Sequence, residues 1–181
     1  MVHPRVQKVL AGIAAGALGG LALLGFLALG SIVQQDPWWR FPNLVGTVFF
    51  GAAALRNGLG LATLSGAAFE ILLSGAVGAA FGLFIPSPLR GFRRLLLGMI
   101  AGVLWMRLLD LIYNRLNPLI PLYSETLPMT VGHLLFGACL AFSAIFLPRM
   151  PAPLPPPAPG EPSSPEDPPI EHVTEPGSMP G

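Results

Sequence analysis

The sequence predicts an all-α, polytopic membrane helix bundle: four transmembrane helices, a re-entrant or interfacial half-helix and a disordered Pro-rich C-terminal tail. Three observations lead there. Of 181 residues, 52% are hydrophobic and 10% charged, and mean hydropathy is +0.65, far from soluble averages. Four apolar stretches reach the roughly 20 residues that a helix rising about 1.5 Å per residue needs to cross ~30 Å of hydrocarbon. Within them small residues recur every fourth position, the seam by which helices pack when lipid removes the hydrophobic drive.

Residues 1–8 hold Arg5 and Lys8 and precede the first span, 9–33. That span is about twice the ~7 to 15 residues of a secretory signal core and lacks a small-x-small cleavage site, so it reads as a retained anchor. Next comes an apolar stretch over 44–55, opened by Phe41-Pro42-Asn43 and stopped by Arg56-Asn57-Gly58. At about 20 Å it is too short to cross and reads as a half-helix. Spans over 65–85, 94–113 and 129–147 follow. From Pro148 onward, 13 of 34 residues are proline, a composition that buries no core and favours extended segments.

Charge sets the threading. Residues 1–147 carry nine Arg or Lys against four Asp or Glu, and the tail carries one against five. With both termini cytoplasmic, Arg5, Lys8, Arg90, Arg93, Arg94 and Arg149 lie inside, and Arg40, Arg56 and Arg115 outside, as the positive-inside rule requires. Trp38, Trp39, Tyr113 and Tyr123 then share the outer interface. This basic surplus is membrane-flanking and implies no nucleic-acid partner.

The packing glycines are Gly12, Gly16 and Gly20 on the first span, Gly78 and Gly82 following Ser74 on the second, and Gly98 and Gly102 on the third. An internal repeat accompanies them: Gly12-Ile-Ala-Ala-Gly16 resembles Gly98-Met-Ile-Ala-Gly102, and the span opening at Glu70 and closing at Pro86 resembles the one opening at His133 and closing at Pro148.

Glu70, Arg107, Asp110 and His133 are ionisable groups inside apolar spans, where charge is costly and faces protein or water. Counting along each helix puts them about 5 to 9 Å below the outer boundary, in one layer. Arg107, Asp110 and Asn114 lie at i, i+3 and i+7 and form a stripe. One reading pairs Arg107 with Glu70 or Asp110, and His133 with Asp110, as a lock on helix register. The other makes the layer an outward-facing vestibule for a small solute or ion. An oligomer or partner interface is a third.

No cofactor or metal is expected. Bis-histidine haem needs a second intramembrane histidine, and His3 and His172 lie outside the spans. One imidazole with two carboxylates is a weak metal signal. Cys139, the single cysteine, excludes an intrachain disulfide and a thiolate cluster. No Walker loop, dinucleotide fingerprint, His-Glu-x-x-His or nucleophile elbow is present, so an enzyme is the least supported class.

The stretch Trp38-Trp39-Arg40-Phe41-Pro42-Asn43-Leu44-Val45-Gly46, then Arg115, Asn117-Pro118-Leu119, and Gly132-His133-Leu134-Leu135-Phe136-Gly137, resembles a group of small, uncharacterised bacterial multi-span membrane proteins. The likeness covers residues 9 to 147. It implies a bacterial inner (cytoplasmic) membrane and no catalytic activity. That group tends to place a histidine where this chain has Glu70, which argues against a paired-histidine site.

The functional expectation is a structural or accessory membrane component with a buried polar layer. A transporter or channel subunit, and an adaptor recruiting a soluble partner through the tail, are the alternatives. The lipid bilayer is the expected surrounding, and a homo-oligomer is compatible with the glycine seams.

Overall fold

The computed structural model describes residues 3–84 and 91–143, and among these the chain is helical, with no strand. The helices are α1 Pro4–Val33, α2 Arg40–Phe50, α3 Ala53–Arg56, α4 Leu61–Phe84, α5 Phe92–Leu116, α6 Leu119–Tyr123 and α7 Thr126–Ala141. Three of them, α1, α4 and α5, are long and apolar enough to cross a membrane. α7 is apolar but shorter, at 16 residues. The ends of the second and fourth predicted spans, 85 and 144–147, and the tail 148–181 lie outside the described residues.

α1 starts earlier than position 9. Pro4 stands in the first turn, where its missing N–H breaks no helical bond, and His3 caps the turn by accepting the Arg5 N–H at 3.3 Å. Its other end reverses sharply. Asp36 N–H donates to the Ser31 carbonyl at 2.9 Å and Gln35 N–H to Ile32 at 3.0 Å, with Gln35 left-handed at φ 63°. This is a Schellman closure with glutamine where glycine is usual.

The half-helix differs from the expected 44–55. Pro42 sits inside the first turn of α2 and does not precede it, so the helix begins at Arg40. Gly51, at φ 58°, ends α2, and α3 is a separate turn. Residues 41–47 of α2 are all buried, against α4 above all.

Two antiparallel hairpins organise the bundle. α1 packs on α4 so closely that a Cβ on Gly12 would overlap the Gly78 carbonyl, and one on Gly16 the Ser74 carbonyl. α5 packs on α7 in the same way, Gly98 against the Gly137 carbonyl and Gly102 against that of His133. The repeat is therefore real in the seam but shifted by one turn from its sequence alignment. His133 takes the place of Ser74, not of Glu70, because backbone apposition and not side-chain charge fixes the register.

α1 also packs on α7, where Gly132 receives Leu23 and Gly19 lies against Phe136. The matching α4 and α5 faces scarcely touch. α2 takes up part of that space, and Phe41, Leu44 and Val45 join Leu109, Tyr113, Ile120 and Phe136 in the core.

Candidate functional site

Four elements aim buried side chains at one point. α4 supplies Glu70, α5 supplies Met106, Leu109 and Tyr113, α7 supplies His133, and Phe41 and Val45 of α2 close the top. The cavity among them is about 10 Å³, room for about one water. Glu70, Tyr113 and His133 are 3%, 8% and 1% exposed.

The hydrogen bonding there is incomplete. Ser74 Oγ donates to Glu70 at 3.5 Å. His133 Nδ1 lies 2.8 Å from the Met129 carbonyl, which only accepts, so this nitrogen carries the proton. In a neutral ring that leaves Nε2 as an acceptor. Among the described residues, His133 Nε2 and Tyr113 Oη have no partner. Buried polar groups left open in this way are few in native proteins and mark a water, an ion or a functional role. Chemically the three groups can hold one molecule that donates to Nε2 and the carboxylate and accepts from the phenol.

The predicted layer is only partly assembled. Glu70 and His133 face the cavity, and Asp110 lines it while staying 41% exposed. Arg107 does not reach Glu70. Its side chain is 63% exposed and its partner is Asp110 on its own helix, 3.8 Å away. The inward row of α5 runs through Met106, Leu109 and Tyr113, and Arg107 follows Met106 by one residue, about 100° around the helix. Asn114 is exposed on the same outer side. No ion pair to Glu70 or His133 occurs among the described residues.

Of the interfacial aromatics, Trp38 and Tyr123 are exposed and Trp39 is half-buried against Trp38, their rings 5.8 Å apart. Tyr113 differs from these three in its burial. It is buried in the core, since it continues the inward row of α5.

Sequence reasoning missed the polar clamp that holds α2. Asn43 Nδ2 donates to the Asn57 carbonyl at 2.8 Å, and its Oδ1 accepts from Thr63 Oγ1. Thr47 Oγ1 accepts from Asn117 Nδ2 at 2.7 Å. Asn43 and Thr47, four apart on an otherwise apolar helix, were the available signal. Also missed was Arg94, read as a loop cation. It is 8% exposed and donates to Ser143 Oγ at 2.8 Å, joining α5 to the end of α7.

A larger cavity, about 300 Å³, lies between α1, the start of α2 and α6–α7. It is lined by Phe26, Leu27, Leu44, Leu127 and Met129, with Arg40 and Glu125 also contributing, and does not include Glu70 or His133. Among the described residues no group of three or more His, Cys, Asp or Glu is placed to hold a metal.

Comparison with known proteins returns no match to a family model, a curated protein or a solved structure.

Proposed function

We propose that this chain is a structural or accessory component of a bacterial inner membrane, in which a sealed polar site and the clamped α2 fix the outer half of the bundle. One observation carries this reading. The space bounded by Glu70, Tyr113 and His133 is about 10 Å³, too small for more than about one water, and is capped by α2, whose Asn43 and Thr47 are bonded to its neighbours. α7 is taken as the fourth span, continuing toward position 147, with both termini cytoplasmic. The support is the distribution of Arg and Lys, six on one side against three on the other.

The test is accessibility. Cysteine placed at position 70 or 133 in a Cys139→Ala background is expected to resist a membrane-impermeant thiol reagent. Cysteine at Leu61, 67% exposed at the outer end of α4, is expected to react. Reaction at 70 and 133 at a rate near that of 61 would overturn the sealed site and favour a solute pathway, the second reading, which the unpartnered His133 Nε2 supports. An adaptor role for residues 148–181 rests on composition, and removal of 151–181 without consequence would exclude it.

A further inference from the structure

The outward face of α5 differs from those of the other long helices. On α1 from Leu10 onward, and on α4, every exposed residue is apolar or glycine. The exposed row of α5 runs Ile100, Leu104, Arg107, Leu111 and Asn114, so that a guanidinium and a carboxamide interrupt it seven residues apart, with Asp110 beside them. Polar groups of this kind within a membrane helix avoid lipid and face protein or water. Among the described residues, what meets them is the Arg107–Asp110 contact itself, in which the guanidinium stays 63% exposed.

From this face we infer that the protein pairs with a second copy of itself, α5 against α5. The row steps by four, three, four and three residues, the heptad spacing with which two helices interlock at small crossing angles. Its charges are self-complementary. In a parallel twofold pair, Arg107 of one copy reaches Asp110 of the other one turn away, and the reverse contact follows by symmetry. Asn114 meets its own counterpart, and a single polar residue in such a seam fixes register and partner number. An unrelated membrane protein would need a matching pair of charges at the same depth. A second copy provides them without further assumption.

Inter-subunit disulfide formation in liposomes tests this. In a Cys139→Ala chain, Leu104→Cys and Leu111→Cys are expected to give a covalent dimer. Leu72→Cys, 68% exposed on α4, is expected to give none. Arg107→Asp is expected to lower the Leu104→Cys cross-link several-fold, and adding Asp110→Arg to restore it. Tryptophan fluorescence and monodisperse elution serve as the control for folding. Absence of cross-linking at both α5 positions in folded protein, equal cross-linking at position 72, or failure of the charge exchange to restore would each overturn the inference.

Discussion

The carbonyl oxygen of Gly78 occupies the place where a side chain on Gly12 would begin, and the Gly12 carbonyl does the same to Gly78. Both obstructions are backbone, so neither can swing aside as a flexible side chain would. Gly98 and Gly137 repeat this relation on α5 and α7. The membrane core is thus two backbone-to-backbone contacts, and the buried polar groups are placed around them.

A methyl group at either seam must push two helices apart. Gly78→Ala and Gly137→Ala are each expected to lose roughly 1–3 kcal/mol, the range for overpacking a tight interior. Gly25, also helical, has open space within 4 Å of where a methyl group would lie, and Gly25→Ala should gain up to ~1 kcal/mol from helix propensity. Unfolding titrations in mixed micelles measure all three. Equal losses at positions 78 and 25 would show that the seam is not the cause.

At the end of α1 the sign is opposite. Gln35 adopts a left-handed conformation that glycine takes without steric penalty. Gln35→Gly is expected to stabilise by about 0.5–1 kcal/mol, less than the full left-handed penalty because glycine also frees the unfolded chain. The midpoint of the same titration reports it, and a loss would mean that the Gln35 side chain does more than close the helix.

The clamp on α2 should be separable from the rest of the bundle. Asn43 is buried and serves both the Asn57 carbonyl and Thr63, so Asn43→Ala leaves the buried Thr63 hydroxyl without its acceptor and should cost roughly 1–3 kcal/mol. Its first consequence is local: the exposed segment 57–60 loses its anchor to α2 and should be cut faster by protease. Unchanged cleavage there would argue that packing of residues 41–47 alone holds the half-helix.

What the sequence made legible follows from what periodicity records. Long apolar runs announced α1, α4 and α5, and four-residue spacing announced Gly12, Gly16, Gly98 and Gly102, because both are local properties of one helix. Which neighbour each face meets is not local. Arg107, Asp110 and Asn114 formed a correct stripe, yet the row of α5 that turns inward is Met106, Leu109 and Tyr113, which leaves Arg107 and Asn114 facing away from Glu70 and Asp110 at the cavity's edge. Asn43 was absorbed into a helix-start signal, and Arg94 into a loop, since burial of a polar group depends on partners 14 to 49 residues away.

That geometry makes a decisive double-mutant cycle. Had Glu70 and Arg107 formed an intramembrane pair, Glu70→Gln and Arg107→Gln would each be costly and their combination would recover part of the loss. Instead Arg107 contacts Asp110 on the outer face of α5 while Glu70 faces the inner cavity, so the two changes share no partner. Their effects on stability should add, with coupling within ~0.5 kcal/mol. Glu70→Gln and Tyr113→Phe border one cavity and should be coupled by more than that. Coupling for Glu70 with Arg107 and none with Tyr113 would reverse the assignment and place the guanidinium inside the bundle.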